Sequence, residues 1–301
     1  MASHVPAPAY FGVSAVFHYL GPALAVLLFA RVDVLGVAWL RIASAAVVFA
    51  AWRRPWRLYR RLTGEQRRLL VALGAVLAVM NTAFYLAVDR LPLSTVGAIE
   101  FLGTIVLAAA GARTRRNALA LLLAVAGVYA LTDLRLAGEP VGFAFAFANC
   151  ALFTLYVVLG HRIANTGGVQ GIDQLGAAML VAAVVATPYG LSHATAVVGH
   201  PLLLLAGAGV GICSSVIPYV TDQLAMARLR RATFALMLSI LPAAATVIGA
   251  VVLAQVPTVQ DLAGIALVAA GIALHREKKE KAWNTSASAR QGSGSRESAL
   301  A

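Results

Sequence analysis

The chain has 301 residues, of which 60% are hydrophobic and only 12% are charged, and its formal net charge is +12. A water-soluble domain cannot hide this much apolar side chain, because its surface must be polar enough to be hydrated. The basic residues stand in short stretches between apolar runs, without a basic domain interleaved with aromatic residues, so the charge indicates membrane-flanking loops and argues against nucleic-acid binding.

Ten apolar segments predict membrane-spanning helices. A helix needs about 20 residues to cross about 30 Å of hydrocarbon, and lipid favours helices because every backbone polar group must be paired internally. The first segment has no basic stretch before it and further spans follow, so we interpret it as a retained helix and not as a signal peptide. In chain order the predicted spans are residues 10–29, 34–52, 69–88, 94–112, 117–131, 141–160, 174–191, 202–227, 233–254 and 262–274.

The distribution of Lys and Arg predicts the orientation. With the amino terminus inside, the inner loops and the tail carry 20 of the 24 basic residues, the outer loops carry only Arg31, Arg90 and Arg135, and Arg41 lies within a span. Basic residues accumulate on the cytoplasmic side of membrane proteins. We therefore expect an even number of spans in a bacterial plasma membrane, with both termini in the cytoplasm.

The chain also repeats itself. Tyr85–Glu100 aligns without a gap over Gln223–Leu238, with five identical positions, and Gly127 and Gly271 occupy matching places in later apolar segments. An odd number of spans in each half makes the second half insert upside down, which is a transporter architecture with its substrate site near the midplane.

These patterns together define a fold class and its parts. We predict an all-α membrane protein whose ten transmembrane helices form two inverted five-helix repeats, at residues 10–131 and 141–274. The polar, Ser- and Gly-rich stretch 275–301 has too little apolar content to fold, so we expect a disordered cytoplasmic tail.

Three stretches carry a resemblance to a known family. Met80–Ala109, Ser214–Leu274 and Ala151–Arg162 resemble the EamA family of the drug/metabolite transporter superfamily, nearest to its threonine and homoserine exporters. The resemblance extends over residues 10–275 and implies export of amino acids, drug-like compounds or other small metabolites.

The chain departs from the family pattern at two places. Similar proteins carry a glutamate just before the proline of the ninth span, where this chain has Leu241 before Pro242. They close that span with Gly-Glu, where this chain has Ala254 and Gln255. Any proton or substrate binding by those carboxylates cannot be transferred to this chain.

Charged residues inside spans are the strongest functional signal, because each costs roughly 2.5–3.5 kcal/mol at a helix centre. Arg41 and Glu100 stand about 10 Å below the outer ends of their predicted spans, and Asn81 stands at a similar depth on a third span, at 1.5 Å per residue. We expect Arg41 and Glu100 to pair or to line one aqueous cavity near Asn81. The alternative is a buried ion pair that only fixes helix packing.

Other candidates lie in the first and eighth spans. His18 could bind substrate or relay protons, or it could be hydrogen-bonded to a neighbouring carbonyl. Pro218, Tyr219 and Asp222 lie in one stretch of the eighth span, where Asp222 either faces a cavity or pairs with Arg228.

Two further tyrosines and the cysteines complete the candidates. Tyr85 and Tyr156 could form aromatic cavity walls, although packing is the simpler interpretation. Cys150 and Cys213 lie within apolar segments and suggest neither a disulfide nor a metal site. No cofactor or metal is expected.

The leading hypothesis is a secondary-active exporter that works by alternating access. The chain has no Walker loop, so ATP is not its direct energy source, and a proton gradient is the expected driver. An uptake permease or uncoupled facilitator of the same fold is the alternative. An intramembrane enzyme lacks support, because neither HExxH nor GxSxG occurs, and a sensor without transport activity is a further class. The expected partners are a small-molecule substrate, protons and the lipid bilayer, in a monomer or homodimer.

Overall fold

The computed structural model describes residues 7–103, 105–106, 114–132, 139–165, 171–226 and 240–274. Every regular element in these ranges is helical. The helices are α1 Ala7–Phe29, α2 Val34–Arg53, α3 Trp56–Arg61, α4 Gly64–Val88, α5 Leu93–Glu100, α6 Arg115–Thr132, α7 Pro140–Asn165, α8 Gly171–His193, α9 Pro201–Gly211, α10 Ile217–Met226, α11 Leu241–Leu253 and α12 Val259–Leu274. A π-helical segment, Ile212–Val216, joins α9 to α10, and a 3₁₀ turn, Thr195–Val197, precedes α9. The predicted tail lies outside the described residues.

Six stretches of the described chain are long and apolar enough to cross a membrane. They lie in α1, α2, α4, α7, α8 and the continuous unit α9–α10, while α11 and α12 are shorter apolar helices. The predicted spans 94–112 and 233–254 are described only in part. The prediction of an all-helical membrane protein is confirmed at this level.

Local sequence signals set the helix ends. The Asp33 side chain accepts a hydrogen bond from Leu35 N at 2.9 Å and so caps α2. At the start of α4, Thr63 and Gln66 form a reciprocal capping box. This capping box makes α4 begin at Gly64, five residues before the predicted span, because polar residues can extend a spanning helix into the aqueous phase.

The helices pack in a regular set of pairs. α2 lies along α8, and α6 lies along α12. α4 contacts α7 and α8, while α1 and α2 both contact the unit α9–α10. α11 contacts α1 and α5, and α5 also contacts α7. Small residues permit the closest approach, since a Cβ added at Gly127 would lie 2.5 Å from the Gly264 carbonyl oxygen in the α6–α12 interface.

Candidate functional site

Arg41 on α2 is held by the π-helical segment. Its side chain is buried, its Nε donates to Ser215 Oγ at 3.0 Å, and one terminal nitrogen donates to the Ser214 carbonyl at 3.1 Å. The guanidinium carbon lies 5.2 Å from the centre of the Tyr85 ring, which is a cation–π distance. The Arg41 charge is therefore stabilised by dipoles and an aromatic face, in a region of non-α backbone of the kind often found at functional sites.

Glu100 ends α5 and is buried among polar groups of other helices. Its Oε1 accepts a hydrogen bond from Asn149 Nδ2 on α7 at 3.3 Å. Its Oε2 lies 4.0 Å from His18 Nε2 on α1. The carboxylate thus joins helices from both parts of the chain.

The expected ion pair between Arg41 and Glu100 is not formed. Arg41 bonds to the π-helical segment, and Glu100 faces Asn149 and His18. Of the two arrangements predicted for these residues, direct pairing is therefore wrong, because each group has nearer partners on other helices. The other arrangement, in which both line one aqueous cavity near Asn81, stays a prediction.

Tyr219 on α10 connects these groups electrostatically. Its phenol is within interaction range of four of the predicted site residues, Arg41, Tyr85, Glu100 and Asp222. Tyr156 on α7 in turn interacts with Tyr219 and Asp222, and its ring stacks on Phe153 with centroids 6.3 Å apart. The structure therefore brings residues of five helices to one polar cluster.

Asp222 faces α1. Its carboxylate lies near the Ser14 hydroxyl and interacts electrostatically with His18. Ser14 Oγ donates its hydrogen bond to the Pro218 carbonyl at 3.3 Å, one turn before Asp222 on α10. The alternative partner Arg228 lies outside the described residues.

Asn81 is tied to its own helix. Its Nδ2 donates to the Leu77 carbonyl at 2.7 Å, and its side chain is buried on α4. Tyr85 follows one turn later, with its hydroxyl 3.5 Å from Ser214 Oγ. Asn81 therefore shares a helix face with the cluster, and Tyr85 is the residue of α4 that contacts it.

Sequence reasoning missed several polar members of the cluster. Ser14, Asn149, Ser214 and Ser215 are all buried within apolar helices. The criterion that selected Asn81, a polar side chain inside a predicted span, applies equally to Asn149. The three serines carried a weaker signal, because serine is common in packed transmembrane helices.

Gln255, at the position of a family glutamate, has a structural partner. Its Oε1 accepts a hydrogen bond from Leu93 N, the first residue of α5, at 3.1 Å. Gln255 thus satisfies a backbone donor at the start of the helix that carries Glu100.

Comparisons with known proteins give a consistent result. No model of a protein family matches the chain. The chain is 33% identical over 256 residues to the threonine/homoserine exporter RhtA of Salmonella typhimurium, covering 84% of this chain and 85% of that protein. It is 33% identical over 259 residues to the exporter of the same name from Escherichia coli (strain K12), with the same coverage.

A solved structure shares the fold. It is a crystal structure that covers 89% of this chain and 95% of its own length, with a TM-score of 0.61 and 19% sequence identity. At this identity the match concerns the fold alone. The exporter relatives confirm the prediction of a membrane transporter and not an enzyme.

Proposed function

We propose that this chain, which belongs to the EamA family of the drug/metabolite transporter superfamily, is a secondary-active exporter that carries a small amino acid out of a bacterial cell by alternating access. The observation that supports this most is the polar cluster of buried Arg41, buried Glu100 and partly buried Tyr219, set among apolar helices. Ionisable groups are costly inside a membrane and mark substrate or ion pathways.

The helix contacts support ten spans in two inverted halves, residues 10–131 and 141–274. In this scheme α1, α2, α4, α5 and α6 correspond to α7, α8, α9–α10, α11 and α12. The contact of α1 with α9–α10 then has its equivalent in α7 with α4, and that of α2 with α9–α10 has its equivalent in α8 with α4. The contact between α1 and α11 likewise corresponds to the contact between α7 and α5. The remaining contacts, α2–α8, α5–α11 and α6–α12, each join one helix to its own equivalent in the other half. A two-fold axis in the membrane plane produces this pattern.

The same scheme assigns the orientation. We propose that both termini are cytoplasmic, because the basic residues then lie almost entirely inside. The ion pair of Arg53 with Asp173, at 2.6 Å, joins the end of α2 to the start of α8 at what would be the cytoplasmic surface.

The chemistry of the cluster suits a zwitterion. A guanidinium held on Tyr85 can bind a carboxylate, while Glu100 and Asp222 can bind an ammonium group. The relatives are named as exporters of threonine and homoserine. We therefore assign the substrate to the small hydroxylated amino acids.

The driving force we propose is the proton gradient. The family glutamates are replaced by Leu241 and Gln255, so coupling through carboxylates falls to Glu100 and Asp222 in the cluster. A titratable group beside these carboxylates that faces the two sides of the membrane in turn can carry a proton inward as substrate moves outward.

Counterflow in proteoliposomes tests the function. Vesicles loaded with unlabelled threonine and diluted into trace radioactive threonine should accumulate label when they contain the purified protein. Homoserine inside should serve equally well, and lysine should not. Export is then measured in cells, where induction of the protein should lower the internal threonine concentration and raise the external one.

Two results decide against the proposal. Failure of threonine and homoserine to exchange in vesicles would remove the substrate assignment. A rise of the internal pool on induction would show uptake in place of export. Protein-free vesicles and vesicles with Arg90→Gln, a change at an exposed residue, serve as controls.

A further inference from the structure

His18 occupies a distinctive place in the polar cluster. It lies near the middle of α1, and its side chain is 20% exposed, against 7% for the side chain of Glu100. Its Nε2 faces Glu100 Oε2 at 4.0 Å, close enough for an ion pair when the imidazole is protonated and longer than a hydrogen bond. His18 is therefore the more accessible member of this pair.

A second carboxylate, that of Asp222 on α10, interacts electrostatically with the same imidazole. Ser14 and His18 are one turn apart on α1, and Pro218 and Asp222 are one turn apart on α10. The hydrogen bond from Ser14 Oγ to the Pro218 carbonyl brings these two helix faces together, and Asp222 interacts with both Ser14 and His18. His18 thus interacts with α5 of the first half and with α10 of the second.

The other helices packed on α1 supply few competing charges. α9 and α11 contain no titratable side chain, and the π-helical segment contributes Cys213. α2 contributes Arg41, whose guanidinium bonds to Ser214 and Ser215. Tyr19 follows His18 on α1 itself. A cation beside Glu100 and Asp222 would therefore stabilise these carboxylates when they are ionised.

Three buried oxygens without a hydrogen-bond partner belong to Glu100 and to two residues that interact with it. In the part of the chain that the structure describes, Glu100 Oε2, Asn149 Oδ1 and Tyr19 Oη are buried and accept or donate no hydrogen bond. Asn149 bonds to Glu100 through its amide nitrogen, and Tyr19 interacts with Glu100 electrostatically. A primary ammonium group brings three N–H donors, and a carboxylate, an amide and a phenol oxygen can each accept one of them.

We propose that His18 carries the coupling proton between Glu100 and Asp222, and that its imidazolium and the ammonium group of a substrate amino acid exclude each other at these two carboxylates. This inference rests on the proposed amino-acid transport. It adds the site at which the proton and the substrate ammonium group compete, namely the carboxylates of Glu100 and Asp222. On the cytoplasmic side, arrival of the substrate releases the proton from His18. On the outer side, a proton returns to His18 as the substrate leaves.

The first test separates coupling from substrate binding. Purified His18→Gln protein in proteoliposomes should retain threonine counterflow within about threefold of the native rate and should lose accumulation driven by a pH gradient. His193→Gln, a change at an exposed histidine on α8, is the matched control and should keep both activities. His18→Gln protein that still concentrates threonine in response to a pH gradient would overturn the proposal.

The second test follows competition directly. Binding of radioactive threonine to the native protein should weaken towards acidic pH, by up to about tenfold per pH unit, because a competing proton raises the apparent Kd in proportion to its concentration. His18→Gln should bind threonine with little dependence on pH. A native-like pH slope in His18→Gln would contradict the inference.

A third test needs no substrate, so it stands even if the threonine assignment fails. Protein labelled with ¹⁵N-histidine is studied by NMR at one fixed pH, and the His18 signals are identified by their loss in His18→Gln. Glu100→Gln and Asp222→Asn should each shift the His18 ring ¹⁵N signals, since each change replaces a carboxylate that interacts with the imidazole. If neither change moves the His18 signals, His18 is not shared between the two carboxylates. Absence of threonine counterflow in native protein would instead count against the proposed function.

Discussion

Glu100 Oε2 lies 4.0 Å from Nε2 of His18, while Glu100 Oε1 accepts a hydrogen bond from Asn149. One carboxylate thus contacts the first helix of each proposed half. Movement of the two halves relative to each other would change the hydrogen bond to Asn149 on α7, whereas His18 lies in the same half as Glu100, so Glu100 is placed to sense which side of the membrane is open.

Glu100→Gln should impair both substrate binding and coupling. The amide can still accept the hydrogen bond from Asn149 but loses the charge that would attract an ammonium group or His18. We expect the affinity for threonine to fall at least tenfold and accumulation driven by a pH gradient to be abolished. Equilibrium binding and vesicle uptake measure the two effects. Glu65→Gln, at an exposed carboxylate in the first turn of α4, is the control, and undiminished proton-driven transport in Glu100→Gln would exclude Glu100 from the mechanism.

Arg41→Lys should weaken substrate binding although the positive charge is kept. A lysine ammonium cannot reproduce the planar contacts with Ser215 Oγ, the Ser214 carbonyl and the Tyr85 ring at once. We expect the apparent Kd for threonine to rise at least tenfold. Arg90→Lys, at an exposed residue next to Asp89, should bind as the native protein does. Native affinity in Arg41→Lys would show that Arg41 only supports helix packing.

Gly21→Ala should destabilise the fold, because α1 passes very close to the π-helical segment there. A Cβ at Gly21 would lie 2.5 Å from Ser214 N and still nearer to Ser214 Oγ. Overpacking of this kind costs about 1–3 kcal/mol. On the same helix, a Cβ at Gly12 would meet no atom within 4 Å, so Gly12→Ala should leave Tm unchanged or raise it. Equal melting temperatures for the two variants in detergent would contradict the packing described.

Gln255→Ala should loosen the start of α5. The change removes the acceptor for Leu93 N and should cost about 1 kcal/mol, as the loss of a helix cap does. Gln255→Glu keeps an acceptor oxygen and restores the residue that similar proteins carry, so it should retain the native Tm. The melting temperatures of the two variants measure this difference, and equal losses would argue against the capping role.

The sequence predicted the helical membrane fold well because long apolar runs have few other solutions. It also selected residues that the structure brings together, since His18, Arg41, Glu100 and Asp222 all carry unusual charge for a membrane span. Partners within the site were harder to predict. Arg41 and Glu100 have opposite charges and similar depth, but depth does not specify which way a helix faces. The actual partners, such as Ser215 and Asn149, depend on how each helix is rotated about its axis and on the π-helical segment. No local sequence pattern predicts either of these.

The helix start at Gly64 and the role of Gln255 were missed for different reasons. The capping box of Thr63 and Gln66 was present in the sequence but was hidden among arginines that suggested a loop. The bond from Leu93 N to Gln255 joins residues far apart in the chain and needs the tertiary structure.

Coupled proton movement is the most direct test of the account as a whole. Proteoliposomes containing the native protein are loaded with threonine and a pH-sensitive dye, and then diluted into buffer without threonine. Outward flow of threonine should acidify the interior, and the acidification should disappear in His18→Gln while threonine exchange persists. Threonine efflux without any change in internal pH would contradict the central claim that a proton and a substrate exchange at one site between the two halves.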